Sequence, residues 1–150
     1  MNEDFRDLLA SLLEAGVRFL VVGAHAMAVH GVPRATGDLD VWVAPDSEDA
    51  GRVWAALARF GAPMAARGRA REDLTRPDQV IQIGLPPRRI DLLTAISGVG
   101  FEEAWANRLT HEVASLAVPF IGRVALVQNK QATGRAKDLA DLEALGKPRA

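Results

Sequence analysis

Apolar residues recur at helical spacing from the start of the chain. Phe5, Leu8, Leu9, Leu12 and Leu13 would share one face, and Gly16 can end that helix. Residues 17–22 form a short β-branched and aromatic run that predicts a buried strand. Gly23 breaks it, and residues 24–30 predict a short helix stopped by Gly31 and Pro33. From Asp38 to Val43 the period changes to two. Asp38, Asp40 and Trp42 point one way, and Leu39, Val41 and Val43 the other. Ser47 is the expected cap of a further helix, with Glu48 and Asp49 in its first turn, Val53, Trp54 and Leu57 inside, and Gly61 at its end.

Residues 62–78 are loop-like and rich in Arg. Residues 79–83 and 88–93 predict a strand hairpin through Gly84-Leu85-Pro86-Pro87, with Arg89, Asp91 and Leu93 on one face. A short helix over 101–107, an extended segment over 112–118, and two helices over 124–131 and 136–145 follow, the last two broken at Thr133-Gly134. No repeat, low-complexity tract or linker divides the chain, so residues 1–150 read as a single domain. Short strands and helices without regular β-α-β alternation predict an α+β fold, a mixed β-sheet flanked by helices.

Composition narrows the chemistry. A chain of 150 residues, 49% hydrophobic and 25% charged, can bury a core without disulfide or metal staples. The formal net charge of -1 creates no global field for nucleic acid or an anionic membrane, so any polyanion must be gripped locally. There is no Cys, which excludes disulfides and thiolate zinc sites, and His25, His30 and His111 lack metal-ligand spacing. No apolar run approaches the roughly 18 residues of a membrane span. The opening Met1-Asn2-Glu3-Asp4 is unlike a secretory signal. The expectation is a cytoplasmic bacterial protein with no membrane partner. Fifteen of the eighteen basic residues are Arg; the three Lys (Lys130, Lys137 and Lys147) all lie in the last 21 positions.

Three features carry chemistry. Gly23 at a strand-to-helix turn lets backbone approach a ligand, and the following helix start offers free N–H groups to phosphate; many buried turns need Gly for packing alone. Asp38 and Asp40 project from one strand face, where like charges repel unless a cation such as Mg²⁺ sits between them; the alternative is a solvated strand end with Asp38 in a turn. Asp91 is a carboxylate in an apolar strand. It would complete a two-metal site with the first pair, or form a salt bridge with Arg88 or Arg89.

Together, a strand, Gly, a helix, Asp-x-Asp on a strand and a later strand Asp resemble the polymerase-beta-like nucleotidyltransferase superfamily. The stretch FLVVGAHAMAVHGVPRATGDLDVWV (19–43) is similar to small bacterial members, some of them related to toxins of abortive-infection systems, and NKQATGRAKDLADLEAL (129–145) resembles the tail of the same group. The resemblance implies a nucleotidyltransferase-type fold and attack of an acceptor hydroxyl on the α-phosphate of a nucleoside triphosphate, expelling pyrophosphate. It implies that Asp38, Asp40 and Asp91 hold two Mg²⁺ ions, that Asp91 helps deprotonate the acceptor, and that Gly23 and the backbone after it hold the triphosphate. One departure is clear: the superfamily's Gly-Gly or Gly-Ser pair is here Gly23-Ala24, followed by His25. Ala24 has no hydroxyl for a phosphate. His25 either donates in its place or packs beneath the loop.

Supporting residues are Arg34, which would contact phosphate or brace the carboxylates, and Lys130, Arg135 and Lys137, which would converge on phosphates or serve as ordinary helix-end and surface charges. Asp138 and Asp141 are expected to pair with those cations. Arg67, Arg69, Arg71 and Arg76 form a loop that could grip RNA, but Glu72, Asp73 and Asp78 dilute it and no aromatic residue between Phe60 and Phe101 stacks on bases, so a solvated surface or lid is favoured. The acceptor is an RNA end, a protein side chain or a small molecule, with a homodimer or an antitoxin-like partner completing its site. The rival to an enzyme is a catalytically degenerate binding module of the same fold, or one half of a toxin-antitoxin pair.

Overall fold

The computed structural model describes residues 1–33 and 37–146. Its first helix, α1 (Glu3–Glu14), is capped by Asn2, whose Oδ1 accepts from the Phe5 N–H at 2.9 Å, and buries Phe5, Leu8, Leu9 and Leu12 along one face. Strand β1 (Phe19–Val22) runs directly into helix α2 (Gly23–Val29), and β2 (Leu39–Val43) follows. Helix α3 (Ser47–Phe60) ends at Gly61, which takes the left-handed φ of +94°. Its cap is Asp46 rather than the expected Ser47: Asp46 Oδ1 accepts from the Asp49 N–H at 2.7 Å, and Ser47 is already helical.

Strands β3 (Val80–Ile83) and β4 (Ile90–Leu93) form the expected hairpin. Then come α4 (Phe101–Ala106), β5 (Leu109–Val113), β6 (Leu116–Phe120), α5 (Arg123–Thr133) and α6 (Ala136–Ala144). The segment expected as one extended stretch over 112–118 is a second hairpin. Ala114 and Ser115 turn it with φ of +50° and +68°, the left-handed pair of a two-residue hairpin turn, built without the usual Asn or Gly.

The six strands form one mixed sheet in the order β3-β4-β2-β1-β6-β5. The inner contacts β2–β4 and β1–β6 are parallel, whereas β1–β2 and both outer hairpins are antiparallel. This is the α+β architecture with a mixed, helix-flanked sheet. The core runs continuously from the α1 leucines through β1, β2 and β4 to Phe120, Leu126 and Leu142. Among the described residues no helix is long and apolar enough to cross a membrane.

Two polar devices frame this core. Arg18, just before β1, donates to Asp49 Oδ2 (3.0 Å), Asp46 Oδ2 (2.6 Å) and Glu102 Oε1 (2.7 Å), tying the α3 start to α4. The Arg-rich segment, with 3₁₀ turns at Ala65–Arg67 and Arg71–Thr75, lies along the sheet edge. Arg67 donates to the Gln82 carbonyl (3.2 Å) and Arg69 to the Val80 carbonyl (3.3 Å), the outward-facing acceptors of edge strand β3. Two of the four arginines thus blunt an open edge, a role composition alone did not suggest.

Candidate functional site

The β1–α2 turn, the C-terminal tail and the strands β2 and β4 enclose a cleft of about 770 Å³. Gly23, Ala24, Asp38, Asp40, Arg89 and Asp91 line one side of it, and Lys130, Arg135, Lys137 and Asp141 another. Eight of the ten expected site residues thus line this one cleft, all but His25 and Arg34.

The carboxylate wall follows from strand register. Asp40 and Asp91 are direct partners across the parallel β2–β4 pair, so both project to the same face. Asp40 also pairs with Val22 across β1–β2, which sets it beside the β1–α2 turn. Gly23 there has φ of +69°, and a Cβ on it would overlap Asp40 Oδ2 and lie 3.1 Å from Asp40 Cγ. Burial pushes the Asp40 carboxyl up to about 6; repulsion from Asp91 and Asp38 and a hydrogen bond with Asp91 add to the rise, and Lys137 opposes it.

Arg89 joins the other two carboxylates. Its Nε and Nη2 donate to Asp91 Oδ1 and Oδ2 at 2.8 and 3.2 Å, a two-pronged contact. Its backbone N–H donates to Asp38 Oδ1 at 2.9 Å, and Nη2 lies 3.4 Å from Asp38 Oδ2. Among the described residues no three His, Asp or Glu side chains are gathered as a ready-made metal cluster. The expected triad lines one cleft, but Arg89 is the cation that two of its members engage. The alternation Arg89-x-Asp91 was the signal for this pairing, since residues two apart on a strand share a face.

The cationic side is built by the α5–α6 junction. Gly134 ends α5 with φ of +60°, and α6 starts two residues later. Asp138, in the first turn of α6, accepts from the Arg135 backbone N–H (3.1 Å) and from Arg135 Nε (2.7 Å). Buried Lys130 reaches back from α5, with Nζ 2.9 Å from Asp141 Oδ2 and 3.5 Å from Asp138 Oδ1. Burial lowers the Lys130 ammonium against the pull of Asp138. Burial alone would raise the Asp138 carboxyl, but bonds from Arg135 and Thr133 and the Lys130 charge hold it well below the usual carboxylate range. Asp138 and Asp141 pair with the basic residues, as expected. Lys137 is exposed and makes no ion pair with the described residues; its charge is felt at Asp40.

His25 sits elsewhere. In a helix, residues two apart point to nearly opposite sides, so a turn that presents Gly23 to the carboxylates turns His25 away. Its ring meets Phe5 edge-on at 5.7 Å between centroids and lines a separate cavity with Arg88 and His111. Its Nε2 is buried without a partner among the described residues, and burial lowers its pKa. His25 packs beneath the loop and does not replace the missing Ser hydroxyl in the cleft. Arg34, the remaining candidate, lies outside the described residues.

No protein-family model matches this sequence, and no curated protein does. Among solved structures, the crystal structure of a "putative nucleotidyltransferase" from Thermotoga maritima superposes with a TM-score of 0.63 at 15% identity, covering 93% of this chain and 88% of the other. The fold is of the nucleotidyltransferase type. At that identity the likeness establishes the architecture alone.

Proposed function

We propose that this protein is a Mg²⁺-dependent nucleotidyltransferase that moves a nucleoside monophosphate from a nucleoside triphosphate to a hydroxyl acceptor. The observation that carries this reading is the opposition, within one cleft, of Asp38, Asp40 and Asp91 to Arg135, Lys137 and buried Lys130. A polyphosphate bound with a divalent cation needs both kinds of surface. The donor set fits such a cation, because all three groups offer carboxylate oxygens and Asp40 is held in a position where its negative charge is costly.

Bound at Asp38, Asp40 and Asp91, two Mg²⁺ ions would supply charge neutralisation at the attacked phosphate and at the departing pyrophosphate. Lys137 and Arg135 would hold the outer phosphates, while Lys130 fixes the junction that carries them. The turn at Gly23 and Ala24 would let phosphate oxygens approach backbone N–H groups. The acceptor oxygen bonds to the α-phosphorus as the bond to pyrophosphate breaks, and Asp91 takes the acceptor proton. Positioning and charge placement would supply most of the rate. The acceptor is an RNA end, a protein side chain or a small molecule. The resemblance to abortive-infection toxins points to a toxin-antitoxin setting in the bacterial cytoplasm, with an antitoxin-like partner or a second copy completing the acceptor side.

Calorimetry of each nucleoside triphosphate, with and without Mg²⁺, tests this on the wild type and Asp40→Asn. Mg²⁺-dependent binding of one triphosphate, lost in Asp40→Asn, is the expected result. No binding of any triphosphate would remove the enzyme reading for this chain alone.

A second reading, a degenerate binding module, is favoured by two observations: the Arg89–Asp91 contact and Ala24 in place of a hydroxyl-bearing residue. It predicts triphosphate binding without release of pyrophosphate from the bound triphosphate, whatever acceptor is supplied.

A further inference from the structure

Asp91 uses both carboxylate oxygens on Arg89, and Asp38 gives one oxygen to the Arg89 backbone and turns the other toward its guanidinium. A divalent cation at this wall would draw on the same two carboxylates. Each Asp91 oxygen keeps a second lone pair, but two cations drawn to one carboxylate repel each other, so Arg89 and a divalent ion compete for Asp91. Arg89 is not locked in from behind, because its side chain is 28% exposed and lines the cleft. A guanidinium released from Asp91 has room to turn into the cleft it lines, where a polyphosphate would lie.

We propose that Arg89 is the resident counter-cation of the carboxylate wall, and that a divalent metal ion binds by exchanging with it. This rests on the metal reading of the same site. Arg89 stabilises the wall without metal, lowers its intrinsic metal affinity, and is released toward the phosphates when metal enters. A triphosphate offers the freed guanidinium an alternative partner, so metal and triphosphate assist each other's binding, reciprocally. The arrangement disfavours metal loading in the absence of nucleotide.

The test uses Mn²⁺ alone as probe, titrated by calorimetry into the wild type, Arg89→Gln, Arg89→Lys and Arg88→Gln. Arg88 is an exposed neighbour outside the cleft and controls for bulk charge. Removing a competing charge-assisted contact should tighten Mn²⁺ binding about tenfold in Arg89→Gln. Arg88→Gln should stay within about twofold, as a screened surface charge would. Arg89→Lys keeps the charge but loses the two-pronged geometry and should fall between wild type and Arg89→Gln. It also serves if the Gln variant folds poorly. Without metal, Arg89→Gln should melt below the wild type, and Mn²⁺ should raise its melting temperature more than it raises that of the wild type.

Equal or weaker Mn²⁺ binding in both Arg89 variants, with the wild type binding Mn²⁺, overturns the exchange and leaves the metal site standing. Equal tightening in Arg88→Gln and Arg89→Gln also overturns it, because bulk charge would then explain the effect. Absence of Mn²⁺ binding from every variant removes the metal reading and this proposal with it.

Discussion

Gly23 and Asp40 occupy almost the same space: a single methyl group on Gly23 would overlap the Asp40 carboxylate, and the Gly23 backbone already stands at φ of +69°. The turn therefore has two reasons to exclude a side chain, one conformational and one spatial. Gly23→Ala should cost about 1–2 kcal/mol of stability from the left-handed backbone. It should also push the Asp40 carboxylate aside and weaken Mg²⁺-dependent triphosphate binding. Denaturant unfolding read beside calorimetry checks both effects on one preparation.

Asp40 gives stability an inverted pH dependence. Its folded value is raised to about 6 from an ordinary 3.8, so the folded state binds more protons than the unfolded state between those values. Its contribution to stability is therefore greatest at low pH and is lost as pH rises through 6, the reverse of a salt-bridged carboxylate. Relative to the wild type, Asp40→Asn should gain about 1–2 kcal/mol between pH 5 and pH 8. Urea titrations of both proteins at the two pH values measure the difference, and a constant gap would contradict the burial argument.

Lys130 and Lys137 should separate cleanly. Lys130 is buried against Asp138 and Asp141, so Lys130→Ala removes an ammonium from between two buried carboxylates and should cost about 3 kcal/mol. Lys137 is exposed, and Lys137→Ala should change stability by no more than about 0.5 kcal/mol while weakening triphosphate binding. Thermal melts paired with nucleotide titrations distinguish the structural lysine from the ligand-facing one.

The edge of the sheet offers a fourth test. Replacing Arg67 and Arg69 together by Ser uncovers the Val80 and Gln82 carbonyls. An unguarded edge strand pairs with other chains, so the double variant should self-associate at concentrations where the wild type does not. Light scattering across a dilution series reads this directly.

The parts legible in sequence were those with strong period. The α1 leucines and the β2 alternation placed their elements within a residue or two, and the Asp-x-Asp spacing put both carboxylates beside the cleft. The β5–β6 hairpin was hidden because Ala114-Ser115 carries none of the residue types that normally signal a left-handed turn. His25 was ambiguous because its direction depends on where helix α2 begins, and the helix begins at Gly23 itself. The contest for Asp91 was visible as an alternative, but spacing says only that Arg89 shares its face. Which cation wins depends on side-chain geometry and on competing ligands, neither of which a one-dimensional pattern encodes.

Asp40 and Asp91 meet through a parallel strand pair whose members lie far apart in the chain. A slip of one residue between β2 and β4 would send Asp91 to the opposite surface of the sheet, into apolar packing. A growing chain that has not yet emitted residue 91 cannot assemble the carboxylate wall at all, and a mispaired chain cannot assemble it correctly. Affinity for a divalent ion at this wall would therefore act as a proofreading mark, carried only by molecules whose central strands have found their proper partners.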